Sequence, residues 1–457
     1  MSGIPKRTFA SALLRFSVVG IAASAANMAW SMDLMEAYQA ALTQDATIRV
    51  SRATADAGRE RVPQARAQLL PNLSASFSRN KNDLTQTVPD LTGNPFTTKD
   101  QYFSHNKTVQ LRQPLFRKAV YDQYKQALVL QEDVEATLDR DLQQLNGRLS
   151  TAYLNALLAQ DQLDLIAGQK QAYIVQLDAA KKSLQAGSGT RTDIDDAQAK
   201  LDLIVAQELE ASQNQDVTRR QLEAIVNQPV LPLAKLDVNK LQLLPPVPAR
   251  VDEWLALAEQ YSPELRSLRA QRDAAEYAVK IAEDGHLPTL DAIAQYSDSG
   301  SENVVNFRAR YQTTSIGLQL SVPLYSGGAV NSQVRQALAQ QEAATEQYEV
   351  VRRDLGVRVH NAYRGVNEGI LKIRALEQGV RSAEQAVQSS EKSYAAGVRT
   401  RLDILNTQAQ RLAALRDLAQ ARYSYIAARI SLQALAGGDK EAPIMEANSW
   451  LTATPAQ

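Results

Sequence analysis

The chain of 457 residues has no cysteine, which excludes disulfides, thiolate zinc sites and an N-terminal lipid-bearing cysteine. It has no charge excess: 50 basic residues stand against 50 acidic ones, without the basic surplus that nucleic-acid binding asks for. Histidine occurs three times, at His105, His286 and His360, too far apart in sequence to suggest a metal site or a catalytic triad. A glycine-rich phosphate loop and a G-x-S-x-G nucleophile elbow are both missing. Gly327-Gly328 stands between a strand and a helix but lacks the rest of a nucleotide fingerprint. The sequence thus offers no catalytic constellation and no cofactor site. Beyond the N-terminus no run of 18 apolar residues occurs, so any passage through a bilayer must use strands.

The N-terminus reads as an export signal over 1–31. Lys6 and Arg7 precede an apolar stretch from Phe9 to Ala26, and cleavage fits after Ala25 or after Ser31. Removal of Lys6, Arg7 and Arg15 leaves 47 basic against 50 acidic residues, a mature net charge of −3.

The remainder is duplicated. Leu70-Pro71-Asn72-Leu73 matches Leu287-Pro288-Thr289-Leu290, and Gln113-Pro114-Leu115-Phe116 matches Val322-Pro323-Leu324-Tyr325. Ala186-Gly187 with Asp193-Ile194 matches Ala396-Gly397 with Asp403-Ile404. The offset falls from 217 at the first prolines to 209 at the second, as one eight-residue insertion in a loop between Pro71 and Pro114 would produce. The spacing predicts a first repeat over 32–245, with a β-hairpin at about 71–115 and long coiled helices at about 117–227. A second repeat follows over 246–438, with a hairpin at about 288–323 and helices at about 328–436, and then a C-terminal tail over 439–457. Pro245-Pro246-Val247-Pro248 reads as a stiff linker between the repeats.

No proline falls between Pro114 and Pro229 or between Pro323 and Pro443, and both stretches are rich in helix formers. Such long helices need partners along their length, which implies coiled-coil packing. They fit a soluble rod as well as a channel. The strands favour the channel. Ile316, Leu318, Leu320 and Val322 alternate with Ser315, Gly317, Gln319 and Ser321, and Leu73, Ala75 and Phe77 alternate with serines. Turn residues follow at Pro89-Asp90 with Thr92-Gly93-Asn94-Pro95, and at Ser297-Asp298-Ser299-Gly300. Strands of about ten residues with one apolar face suit an outer-membrane barrel. Four strands leave two bare edges, which a bilayer does not tolerate, so the edges must close against other copies. Two copies would make eight strands, whose interior side chains fill. Three copies make the smallest barrel here with room for a lumen.

At this point Ser321-Val322-Pro323-Leu324-Tyr325-Ser326-Gly327-Gly328, Tyr394 to Leu405, and Ala421-Arg422-Tyr423-Ser424-Tyr425 resemble the TolC family of outer-membrane efflux and secretion channels. The resemblance covers about Met32 to Gly438, and the missing lipid-bearing cysteine is similar to the type I secretion branch. It implies a mainly α fold with a transmembrane β part, a homotrimeric twelve-stranded outer-membrane barrel on a long periplasmic α-helical barrel. It implies passive export through that duct, joined to a periplasmic membrane-fusion adaptor and an inner-membrane ABC or proton-driven transporter. The competing reading is a periplasmic coiled-coil adaptor without a pore.

The two helix breaks, Gly187 to Asp193 and Gly397 to Asp403, would then form the closed inner-membrane tip. Each has a glycine suited to a left-handed C-cap, followed by a capping-box-like pair, Thr190 with Asp193 and Thr400 with Asp403. Structural capping therefore accounts for both aspartates, and a pore role adds to it. By resemblance Asp403 matches a pore-facing constriction aspartate, while the family's second acidic position falls on Asn406, which implies one acidic ring instead of two. Tyr394 and Arg399 match residues that latch the entrance shut against the other hairpin, here Thr192 and Asp193.

Overall fold

The structure is a computed structural model and describes residues 31–90, 92–230, 232–302, 309–438 and 440–452. The export signal expected over 1–31 lies, apart from Ser31, outside the described residues. The first repeat opens with α1 (Leu34–Gln44), α2 (Ala46–Arg59) and α3 (Arg61–Ala67), followed by strands β1 (Asn72–Pro89) and β2 (Pro95–Phe116). Helix α4 (Lys118–Gln185) and helix α5 (Arg191–Val226) then run out and back. After a short strand β3 (Lys235–Leu236), the second repeat follows the same order: α6 (Val251–Tyr261), α7 (Pro263–Glu283), β4 (Thr289–Ser301), β5 (Ala309–Ser321), α8 (Ala329–Ala395) and α9 (Arg401–Leu435). Helix α10 (Ala442–Ser449) and strand β6 (Leu451–Thr452) close the described chain.

Helix α4 has 68 residues and α8 has 67, each about 100 Å long at 1.5 Å per residue. Helix α4 packs along α5 and α7, and α8 along α9 and α7; small and large residues alternate along the buried stripe, with Leu145, Leu149, Ala152, Tyr153, Ala156 and Leu157 recurring at three- and four-residue steps in α4. None of the described helices is long and apolar enough to cross a membrane.

The region around the helices' midpoints is the main core. Here Tyr153 donates to the Met32 carbonyl at 2.9 Å, and the fully buried Tyr425 accepts from the Leu244 amide at 3.2 Å. The proline linker is fixed by Trp254, whose Nε1 donates to the Pro248 carbonyl at 2.8 Å. Residues 440–452 of the expected C-terminal tail are built into this core. Strand β6 pairs with β3, and Asn448 Oδ1 caps the Leu34 amide at 3.0 Å. Apolar Ile444, Ala447 and Trp450 supply the reason, since all are buried there.

The sheet has the order β1-β2-β4-β5, antiparallel throughout, and leaves β1 and β5 as edges. Its register sets Leu73, Leu111, Ala294 and Ile316 side by side on one face. That face is exposed: Ile316 is 85% accessible, Leu318 69% and Phe77 66%, an arrangement that water would penalise and lipid rewards. The opposite face is polar, with Gln110, Arg112, Gln295 and Gln319.

Two turn expectations require revision. Ser297-Asp298-Ser299-Gly300 lies inside β4 and pairs with β5, because Asp298 finds a partner in Arg310 on the neighbouring strand at 2.7 Å. The eight-residue insertion lengthens strands instead of enlarging a loop. β1 and β2 pair without interruption out to Pro89 and Pro95, beyond the last β2–β4 partners, Ser104 and Ser301. Threonine-rich alternation, including the Thr87–Thr97 cross-strand hydrogen bond at 2.9 Å, keeps that ribbon extended. Asp90 ties its turn by accepting from the Thr92 and Asn94 amides, each at 2.9 Å, with Gly93 at φ 84°.

Strand passes to helix at a buried carboxylate. Asp291 accepts from Arg112 at 2.6 Å and from Arg117 at 2.8 and 2.7 Å, and Arg117 is the residue where β2 gives way to α4. Two guanidiniums around one buried acid fix the sheet to the helices with directional, charge-assisted bonds.

Candidate functional site at the hairpin tips

The two long helical hairpins end in similar turns. Gly187 (φ 76°) and Gly397 (φ 75°) take the left-handed conformation after α4 and α8. The amides of Ser188 and Val398 reach back to the carbonyls of Ser183 and Ser393 at 3.0 and 2.9 Å. The next helices start with complete capping boxes. Thr190 Oγ1 accepts from the Asp193 amide at 3.1 Å while Asp193 Oδ2 accepts from the Thr190 amide at 2.9 Å. Thr400 and Asp403 repeat the exchange at 3.3 and 2.9 Å.

Capping has an electrostatic consequence. The Thr400 amide, then the Thr400 hydroxyl, hold the Asp403 carboxyl below its ordinary range, and the positive charge of Arg399 adds to the effect. Asp403 is therefore an anion at neutral pH. Asn406, one turn further along α9, is exposed and uncharged.

The latch residues have the following partners within one chain. Arg399 Nη1 donates to Ser390 Oγ at 2.6 Å, Asp193 is engaged by Thr190, and Thr192 is exposed on the surface. Among the described residues, no hydrogen bond within the chain joins Tyr394 or Arg399 to Thr192 or Asp193.

A different residue joins the two hairpins. Arg401, only 5% exposed, donates to Gln176 Oε1 on α4 at 3.1 Å and to Ser183 Oγ near the end of α4 at 3.4 Å. On its own hairpin it donates to the Tyr394 hydroxyl at 2.7 Å and lies over the Tyr394 ring at 4.9 Å. Its Nε has no partner, so the guanidinium is held by four contacts without being fully satisfied. Below it, Leu405 is fully buried against Tyr173, Leu177, Ala197 and Ile204 of the first hairpin. Arg401 is absent from the sequence-derived site. Its repeat equivalent, Arg191, is exposed and, among the described residues, pairs only with Asp195 at 3.2 Å. The available signal was Tyr394, seven residues before Arg401, where the first repeat has Leu184.

The three histidines take local roles. His286 meets Asn331 at 3.1 Å, the His105 ring lies over Gly300, and His360 is exposed. No cluster of potential metal ligands occurs among the described residues.

The profile of the family described as outer membrane efflux protein matches residues 37–228 and 254–438, one stretch in each repeat. The alkaline protease secretion protein AprF of Pseudomonas aeruginosa is 36% identical over 94% of this chain and 90% of its own length. The proteases secretion protein PrtF of Dickeya chrysanthemi is 32% identical over 93% of each. The outer membrane protein TolC of Escherichia coli is 30% identical over 95% of this chain and 88% of its own. The fold is shared with the outer membrane protein VceC of Vibrio cholerae, with a TM-score of 0.76 at 18% identity over 89% of this chain and 97% of that one. With the lipid-suited sheet and the paired helices, these matches replace the adaptor reading: the chain belongs to the outer membrane efflux protein family, as a TolC-like exit duct of the outer membrane.

Proposed function

We propose that three copies close their sheets edge to edge, β5 of one against β1 of the next, into a twelve-stranded barrel through which exported proteins leave the cell passively. The observation that carries this is the four-stranded sheet with an exposed apolar face and two unpaired edges, which only closure can make stable in lipid. The long hairpins extend into the periplasm and meet a membrane-fusion adaptor and an inner-membrane ABC transporter, which supplies the energy. Similarity to proteins named for protease secretion favours a protein cargo and the type I route. Similarity to TolC and to a solvent efflux pump component keeps a proton-driven drug transporter as the second reading. The chain itself performs no catalysis.

At the periplasmic end the hairpin tips form the gate. Asp403, repeated in each subunit, makes one acidic ring that attracts cations, and Asn406 leaves the second position uncharged. Tyr394 and Arg399 latch against Thr192 and Asp193 of an adjacent hairpin in the closed ring. Arg401 clasps the two hairpins of a single subunit, so the tip opens as paired hairpins instead of four loose helices. The mass of the detergent-extracted protein, with conductance measured on the same sample, tests the assembly. A trimer with small, cation-selective openings supports it; a protein that stays soluble without detergent and does not conduct overturns it.

A further inference from the structure

We infer that the outer rim of the barrel carries a binding surface for the phosphate groups of a phosphorylated glycolipid in the outer leaflet. Toward the hairpin turns the apolar face of the sheet gives way to basic rows that still include Phe77 and Phe103. One step beyond Tyr296 the register sets Lys107 beside Asp298, and the next row holds Arg79, His105 and Arg310, with Lys81 following on β1. All lie on the same face as Leu318 and Ile316, because each is an even number of residues from them in register.

Position matters as much as charge. Ten residues separate Leu320 from Arg310. They cover about 34 Å of strand, or about 24 Å of height at a tilt of about 45°, the height of a lipid-facing apolar band. The helices leave the opposite end of the sheet, so the basic rows meet the headgroups of the outer leaflet.

The rim keeps a cationic excess, with Asp83 in the row after Lys81 accepting from Gln101 at 3.1 Å. Asp298 is consumed by Arg310, which grips it through Nε at 2.8 Å and Nη2 at 2.7 Å. Arg79, Lys81 and Lys107 form no salt bridge among the described residues and are exposed. Arg79 is stacked on Phe103, 4.9 Å from the ring centre, which orders its planar fork for a bidentate phosphate. Glycine at position 300 leaves space for the His105 ring, which a Cβ there would meet at 2.4 Å, and the ring fills the row between Arg79 and Arg310. Edge closure repeats this arrangement in every subunit. Protein cations there take the place of the divalent ions that otherwise bridge neighbouring phosphates.

The test is native mass spectrometry of the detergent-extracted oligomer titrated with bis-phosphorylated lipid A, its dephosphorylated form, phosphatidylglycerol and phosphatidylethanolamine, all in chelator. Lipid A is expected to stay bound, and the other three to bind much more weakly. Each cation removed near an anionic surface costs about fivefold, so Arg79→Gln with Lys81→Gln and Lys107→Gln lowers lipid A affinity about a hundredfold. The charge-preserving pair Lys81→Arg and Lys107→Arg, with Arg79 kept, stays within a few-fold of the parent. Equal retention of dephosphorylated lipid A or of phosphatidylglycerol by the parent oligomer overturns the inference, and that comparison needs no variant to assemble. Unchanged lipid A binding by the glutamine set overturns it too.

Discussion

The guanidinium of Arg401 sits 4.9 Å above the Tyr394 ring and donates to the hydroxyl of the same tyrosine at 2.7 Å, so one side chain fixes the end of α8 to the start of α9. Its other donors reach Gln176 and Ser183 of the first hairpin. Tyr394→Phe keeps the ring and removes the hydroxyl. A buried charged donor then loses its shortest bond, at a cost of about 1.5–3 kcal/mol. Amide hydrogen exchange should rise across 393–405 and near Ser183, while the sheet stays as protected as before. Unchanged exchange at the tip would mean that the ring contact alone holds Arg401.

Thr400→Ala and Thr190→Ala each remove a capping box and should cost about 1 kcal/mol locally. Because the Thr400 hydroxyl is the second cause of the low Asp403 pKa, after the Thr400 amide that alanine keeps, the first change should also raise the Asp403 pKa part of the way toward the ordinary value. The second should leave Asp403 alone. Carboxyl titration by NMR on side-chain-labelled protein separates the two.

The proposed ring of Asp403 carboxylates should respond to pH with a definite sign. A carboxyl whose folded pKa is depressed is ionised, and contributes stability, above its unfolded value, and loses both as pH falls through the lower folded value. Cation selectivity should therefore persist at pH 4 and disappear only in stronger acid. Asn406→Asp adds a second ring and should deepen block by multivalent cations. Reversal-potential measurements across a pH series check the first point, and block titrations the second.

Leu318 faces lipid at 69% exposure, in the row next to Ile316. Leu318→Arg places a cation in the apolar band two residues from its Leu320 edge, at about 1–2 kcal/mol per subunit, less than at the midplane, and the cost recurs in every subunit. The yield of oligomer in outer-membrane fractions should fall sharply. Gln319→Arg, one residue along on the polar face, should be tolerated.

Much of this was legible in the chain. Period-two alternation around Leu318 marked the lipid face, and proline-free, alanine-rich stretches marked the long helices. Glycine followed by Thr-x-x-Asp marked both tips. The rest depended on contacts between distant segments. Arg401 looks like any helix-start arginine until α4 brings Gln176 and Ser183 to it, and the two repeats use equivalent arginines differently. Ser297 to Gly300 have turn composition, yet Arg310 across the ladder holds Asp298 in a strand. The last residues read as a tail because eight residues of helix carry little signal without the core that covers Ile444 and Ala447.

Single-channel conductance in planar lipid bilayers tests the clasped tip most directly, comparing the parent trimer with Arg401→Leu and with Arg399→Ser. The parent should show small, long-lived openings. Each variant should open wider, and the double variant wider still, if the Arg401 bonds act within a subunit and the proposed Arg399 latch between subunits. Parent-like conductance in Arg401→Leu, from trimers of normal yield, would contradict the claim that Arg401 holds the hairpins of the gate together.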